Sequence, residues 1–387
     1  MRKRITILGF FSEDSGLTCF FKTNYRILLT EGYEFNIINI ASYRPARILS
    51  KFGNYYEVPF YFSELNSRSF LQKRRFFNKK LHHIYSECRL NSDTLHLYLG
   101  VLCDPILITD AHKVGFKRII VEGYANLSHK LNLAEKQLQR IGGKMVELYA
   151  TDYIAVNQSV ANFFYSPKLQ KSPRFKILKN GIAIRKQRYH EEQNIYYRKR
   201  YEIGEKDFVI GNVGRFTAIK NQFFLIKSFD LFQKIYPNTK LVLIGDGPRL
   251  EAMRQYVYQL HLEDKVIFTG FLENPDEVQN IFNIFAYPAL LTDLSISLLH
   301  SVANGAFAVV SDVQAPEIQK LKSVTVLSLK DPQSWADEFH CLSQYKYDRS
   351  KQSYEATKEL MSEGYGISSS TQQLRNLYGI INTEDEF

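Results

Sequence analysis

Phe208-Val209-Ile210-Gly211-Asn212-Val213-Gly214-Arg215-Phe216-Thr217-Ala218-Ile219-Lys220-Asn221-Gln222 begins as an apolar run, turns on a glycine and leads into Gln222 to Tyr236, where apolar residues recur at three- and four-residue spacing. A short run buried on both faces and followed by an amphipathic helix is the building unit of a parallel sheet. The alternation extends in both directions. Toward the amino end, strand-like runs fall at Ile5 to Phe11, Phe35 to Ile40, Leu95 to Leu99, Arg118 to Val121, Tyr153 to Val156 and Lys176 to Leu178. Beyond Val213 they fall at Leu241 to Ile244, Val266 to Thr269, Ile284 to Tyr287, Ala308 to Val310 and Val324 to Leu327.

Two sets of about six strands predict an α/β chain of two facing, doubly wound Rossmann-like domains, with ligands at the carboxyl ends of the strands in the cleft between them. The expected division is 1–185, 186–365 and a segment 366–387. The joint is read from the polar stretch Arg185 to Lys206, which follows the turn signal Asn180-Gly181.

The 387 residues carry 50 Lys and Arg against 40 Asp and Glu, but the excess is uneven. Residues 1–200 hold 33 basic and 16 acidic side chains, net +17, and residues 201–387 hold 17 and 24, net −7. The basic half suits an anionic partner, and no nucleic-acid reader motif accompanies it. The four cysteines, Cys19, Cys88, Cys103 and Cys341, lack metal or disulfide spacing and read as buried free thiols. The first apolar run is too short for a signal peptide, and no stretch supplies the apolar length of a membrane span. A cytoplasmic chain, peripheral on the inner face of the plasma membrane, is expected.

The glycine turn Gly211 to Gln222 places Arg215 and Lys220 between a strand and a helix, where a phosphate can be neutralised. It is neither GxGxxG nor a P-loop, so on spacing alone a solvated loop is the better reading. In order with Leu241-Val242-Leu243-Ile244-Gly245-Asp246-Gly247-Pro248, Val266-Ile267-Phe268-Thr269-Gly270-Phe271, Tyr287-Pro288 and Ser311-Asp312, it resembles the donor domain of retaining GT-B glycosyltransferases of family 4. Ser15-Gly16-Leu17-Thr18, Tyr149 to Tyr153 and Asn180-Gly181-Ile182 are similar to the capsular and exopolysaccharide branch of that family.

The resemblance implies a hexosyltransferase-type enzyme that moves a sugar from a nucleotide-diphosphate sugar, UDP-linked, to a lipid-linked or polysaccharide acceptor with retention. It implies diphosphate binding by Arg215, Lys220, Gly16 and a helix start at Ser295 and Ile296, nucleoside binding by Thr269, Gly270, Phe271 and His300, and sugar binding by Thr292, Asp293 and Leu294. No cofactor and no metal are expected, since two cations replace the ion.

The family's Glu-x7-Glu pattern falls here on Thr292 and His300, with Asp293 one residue from the first position. Its first-domain histidine motif falls on Val121 and Gly123, around Glu122. No catalytic residue is therefore named, and Glu122 and Asp293 are the candidates. The same departures support an alternative: an inactive GT-B paralogue serving as a binding or assembly subunit for a partner glycosyltransferase.

Phe70 to His83 interleaves aromatic residues with Lys73, Arg74, Arg75, Lys79 and Lys80 at near-helical spacing. This is the pattern of a helix on an anionic membrane surface beside a lipid-linked acceptor, and equally of a solvated helix with one core stripe. The pattern Thr371 to Ile380, before the acidic Glu384-Asp385-Glu386, is expected to be a helix crossing back to the first domain.

Overall fold

The computed structural model describes residues 3–13, 15–40, 44–59, 70–127, 131–293 and 295–379, and of Phe70, Thr292 and Asp293 the backbone alone. The chain forms two compact units, one reaching to Gly181 and resuming at Ser368, the other Ile182–Ile367.

The first unit holds a parallel sheet of seven strands among the described residues, in the spatial order Gly53–Glu57, Glu34–Asn39, Arg4–Gly9, Thr94–Leu99, Arg118–Gly123, Asp152–Ala155, Phe175–Ile177. The second holds a parallel sheet of six, in the order Val266–Gly270, Thr239–Ile244, Phe208–Val213, Ile284–Tyr287, Phe307–Ser311, Val324–Leu327. Both reverse direction beside their first strand, the point at which the loops of a doubly wound sheet part and leave room for a ligand. All twelve expected runs are strands. The additional strand of the first sheet, Gly53–Glu57, is an edge strand of polar and tyrosyl residues with no apolar run to betray it.

Periodicity and burial agree in the second unit. Helix Gln222–Ile235 buries Leu225, Ile226, Phe229 and Phe232, the i, i+1, i+4, i+7 face, against Trp335 and Phe339 of helix Pro332–Ser343. Trp335 meets Phe224 edge to face at 5.4 Å, and its indole nitrogen donates to the Ser328 carbonyl at 3.0 Å.

Three expectations are corrected. The division falls at Gly181, four residues before the expected boundary. The polar stretch Arg185 to Lys206 is not a joint but part of the second unit, and contains the helix Glu191–Arg200. That helix buries no residue and has no apolar stripe to read. Its charges suit the backbone dipole, with Glu191 and Glu192 in its first turn and Arg198, Lys199 and Arg200 in its last. Of the four free cysteines only Cys88 is buried, and Cys341 is exposed.

Helix Ile367–Tyr378 is assigned to the first unit from Ser368 on. Its Leu374 and Leu377 are buried, Ser370 hydrogen-bonds Asn24, and Arg375 pairs with Glu31. The Tyr378 hydroxyl lies 2.6 Å from that of Tyr25 and 2.7 Å from His96 Nδ1. The acidic residues after 379 lie outside the described residues.

Candidate active site

At the carboxyl end of the second sheet two loops interlock through their backbones. Gly214 N donates to the Ile244 carbonyl at 3.0 Å, Phe216 N to the Asp246 carbonyl at 2.9 Å, and Arg249 N to the Phe216 carbonyl at 3.2 Å. The approach is close enough to need glycine: Gly245 has φ +142°, and a Cβ there would stand 2.1 Å from the Gly214 carbonyl oxygen. Phe216 is fully buried against Phe268, so the loop carrying Arg215 is anchored on the residue next to it.

Lys220 is set by a left-handed residue, Asn221 at φ 54°, a conformation asparagine tolerates at the entry to helix Gln222–Ile235. Its ammonium lies 4.8 Å from the Tyr287 ring centroid and donates to the Tyr287 hydroxyl. Ile219 is tied across to the next strand end, its carbonyl accepting from Leu290 N at 2.8 Å. Beneath, Gln222 Nε2 donates to the Arg215 carbonyl at 3.3 Å and to Asn212 Oδ1 at 3.4 Å, and Asn212 Nδ2 donates to the Ala286 carbonyl at 2.7 Å. Arg215 and Lys220 are both half-buried on this braced loop. Tyr287, Asn212 and Gln222 were not singled out in the sequence, although a buried Asn and Gln flanking an apolar run are a readable sign of a loop brace.

The helix expected to start at Ser295 and Ile296 is Ile296–Ala303. Ser295 caps it, with Oγ accepting from Leu298 N at 3.4 Å, so this hydroxyl serves its own helix. The N–H groups of Ile296 and Ser297 have no intrahelical partner, which leaves them and the dipole for an anion. Thr292 and Asp293 are extended just before it, and Leu294 lies outside the described residues.

His300 sits on the last turn of this helix, half-buried. Loss of hydration lowers its pKa from 6.5 to about 4, with Asp276 opposing the shift. It is therefore uncharged near neutrality and offers one acceptor where a carboxylate would offer several. A histidine whose folded pKa lies below its unfolded value favours unfolding as pH falls, and its contribution is fully present only above about pH 6.5. Between pH 6.5 and 4 the protein should lose about 3 kcal/mol more stability than a His300→Gln variant. Denaturant melts at both pH values measure this; parallel losses would show that the imidazole is hydrated.

Thr269 and Gly270 end the edge strand Val266–Gly270, where Gly270 is left-handed at φ +74° and the following Phe271 is 41% exposed. Among the candidates, Arg215, Lys220, Ser295, Ile296, Thr269, Gly270 and Phe271 thus share one end of one sheet. Gly16 belongs to the other unit. It is the first residue of helix Gly16–Thr30, capped by Ser15, with open space where a Cβ would stand.

Glu122 is corrected as a ligand-contacting candidate. It is 1% exposed in the interior of the first unit, 3.1 Å from His96 Nε2, among Tyr98, Tyr25 and Tyr378. Burial raises its carboxyl pKa. The basic segment is helix Phe70–Arg89, which buries Phe77 and Leu81. Arg74 does not face solvent freely: it forms a two-pronged ion pair with Asp104 at 2.8 and 2.5 Å. Arg75, Phe76 and Lys79 are exposed, while Lys73 and Lys80 are half-buried.

Residues 194–358 match the family model described as glycosyl transferases group 1. EpsF of Bacillus subtilis (strain 168), assigned as a glycosyltransferase, is 26% identical over 245 residues, 62% of this chain and 63% of that protein. The Campylobacter jejuni N-acetylgalactosamine-N,N'-diacetylbacillosaminyl-diphospho-undecaprenol 4-alpha-N-acetylgalactosaminyltransferase is 29% identical over 153 residues, 40% of this chain and 38% of that protein. The matched segments thus span less than two thirds of either relative. Anabaena Alr3699/HepE, solved in complex with UDP-glucose, superposes with a TM-score of 0.78 at 14% identity, covering 98% of this chain and 100% of that one.

The fold is therefore GT-B. The segment that matches the group 1 model, residues 194–358, contains the interlocked loops, Arg215, Lys220 and His300.

Proposed function

We propose that the chain transfers a hexosyl unit from a nucleoside diphosphate sugar, UDP-linked, to a lipid-linked or polysaccharide acceptor, with retention and without a metal. The observation that carries this reading is the pair Arg215 and Lys220, held on one braced loop at the carboxyl end of the second sheet, beside a helix whose first N–H groups have no intrahelical partner. Such an array stabilises the charge that develops on a departing diphosphate. In the transfer, the bond from the anomeric carbon to the diphosphate breaks, the acceptor oxygen bonds on the same face, and a departing phosphate oxygen takes the acceptor proton. The C. jejuni relative, whose name specifies a diphospho-undecaprenol acceptor, and HepE, which holds UDP-glucose, support this choice of substrates. Incubating the purified protein with a panel of nucleotide sugars tests it: slow hydrolysis of one donor is expected, and binding of none would overturn the reading.

A second reading rests on His300. An uncharged imidazole at the position of the family's second carboxylate favours a paralogue that binds without transferring, and assembles with an active glycosyltransferase. Donor binding with no hydrolysis, and no transfer to any offered acceptor, would select it.

For the acceptor side, the exposed Leu71, Arg75, Phe76 and Lys79 on helix Phe70–Arg89 form a mixed basic and apolar face suited to an anionic bilayer at the inner face of the plasma membrane. No helix among the described residues is long and apolar enough to cross one. Arg75→Gln with Lys79→Gln should weaken binding to phosphatidylglycerol vesicles by about tenfold or more, at about 1 kcal/mol per cation; undiminished sedimentation at low salt would sink the membrane role.

A further inference from the structure

Away from the donor loops, the second unit contains a cavity of about 150 Å³ lined by Tyr189, Asn194, Arg198, Asn283, Tyr347 and Arg349 among others. It lies at the opposite end of the sheet. Asn283 immediately precedes strand Ile284–Tyr287, Arg198 reaches the carbonyl of Asp207 just before strand Phe208–Val213, and Arg349 reaches that of Asn304 ahead of strand Phe307–Ser311. Strands of this length separate it from Arg215 and Lys220 by roughly 20 Å.

Two guanidinium groups converge here, and the hydrogen bonds they make go to neutral oxygens. Arg198 donates to Asn194 Oδ1 at 3.1 Å, to the Gly204 carbonyl at 2.7 Å and to the Asp207 carbonyl at 3.2 Å. Arg349 donates to the Asn304 carbonyl at 2.8 Å, to Asn304 Oδ1 at 2.6 Å and to the Phe282 carbonyl, and stacks over the Tyr189 ring at 5.2 Å.

Asp207 and Glu191 lie close enough to favour the Arg198 charge, but the hydrogen bonds they accept come from Gly204 N and the Tyr189 hydroxyl, and that of Asp348 from Lys351 N. The buried Tyr347 hydroxyl, beside Arg349, has no hydrogen-bond partner of good geometry among the described residues. Burial pulls both guanidinium pKa values below their usual level, and the Arg349 charge lowers that of Arg198 further. Helix Glu191–Arg200, with no buried apolar residue, presents Asn194 and Arg198 one turn apart to this cavity.

Charge drawn out of water is costly unless paired, and two half-buried cations in one side-chain cluster with room between them are best paired by a multi-oxygen dianion. We infer that this cavity is a second anion site, built for a phosphate group bound between Arg198 and Arg349 with the Tyr347 hydroxyl as a further donor. The phosphate is either the free ion or the phosphoryl group of a small metabolite. The site does not depend on sugar transfer.

Titration calorimetry and thermal melting of the full chain test it, in an Arg215→Ala background so that phosphate at the donor loop is not counted. Inorganic phosphate should bind and raise the melting temperature beyond sodium chloride of equal ionic strength. Arg198→Gln should weaken phosphate binding about tenfold or more, and the milder Tyr347→Phe, which keeps the ring and the fold, roughly three- to tenfold. Glucose 1-phosphate is run in parallel: tighter binding than inorganic phosphate identifies a phosphorylated metabolite as the occupant, weaker binding the free ion. Stabilisation by chloride equal to that by phosphate, or unchanged phosphate affinity in a folded Tyr347→Phe protein, would overturn the inference.

Discussion

Arg215→Ala and Lys220→Ala should each remove about half or more of the stabilisation that UDP gives the protein in a thermal melt. A charge-assisted hydrogen bond contributes about 1.5–3 kcal/mol, so removing one cation lowers nucleotide affinity by roughly ten- to a hundredfold or more. At a ligand concentration about 100 times the parent Kd, the parent gains about 2.7 kcal/mol and the variants about 0.4–1.4 kcal/mol. The two substitutions differ in what else they disturb. Lys220 also rests on the Tyr287 ring, whereas the Arg215 side chain leaves a loop that Phe216 and Gln222 hold through other atoms. Undiminished UDP protection in Arg215→Ala would remove the diphosphate from this loop.

Gly245→Ala should be the most damaging single methyl in the second unit. The new Cβ would sit 2.1 Å from the Gly214 carbonyl, a backbone atom that cannot swing aside, at a φ of +142° that side chains avoid. Strain of this kind costs roughly 3 kcal/mol or more, which for a unit of this size lowers the melting temperature by roughly 10 °C. Relief by loop movement would carry Arg215 with it, so nucleotide binding should fall together with stability. Gly143→Ala is the control: it lies on helix Leu133–Tyr149, has open space at the Cβ position, and should be neutral or stabilising by up to about 1 kcal/mol. A melting temperature for Gly245→Ala within about a degree of the parent would show that the loops do not interlock in solution.

What the residues disclose and what they hide follows from the physics of each element. Strands buried on both faces announce themselves, as Leu241 to Ile244 does, because nothing but apolar side chains fits there. Gly53–Glu57 pairs on one edge with only polar and tyrosyl residues to offer, so no pattern marks it. Helix Glu191–Arg200 was read as a joint because the usual sign of a helix is an apolar stripe, and this one is held by polar side chains. Glu122 looked available because a strand's carboxyl end usually opens to a ligand, whereas here His96 and three tyrosines enclose it, and pairing across parallel strands is invisible in a linear sequence. Arg215 and Lys220 were legible because their positions depend on a local turn. The cavity around Arg198 and Arg349 was not, since its residues come together from positions about 150 apart.

The helix Ile367–Tyr378 also sets an order of events during synthesis. The hydroxyl of Tyr378 closes a chain of contacts with Tyr25 and His96, groups that leave the ribosome some 280 to 350 residues earlier. At about 5–20 residues per second, the first unit waits roughly 10–40 s after Gly181 is made for its last helix, with the second unit already emerging. Over that interval the niche for Leu374, Leu377 and Tyr378 stands open, so newly made chains expose an apolar groove that a chaperone can recognise.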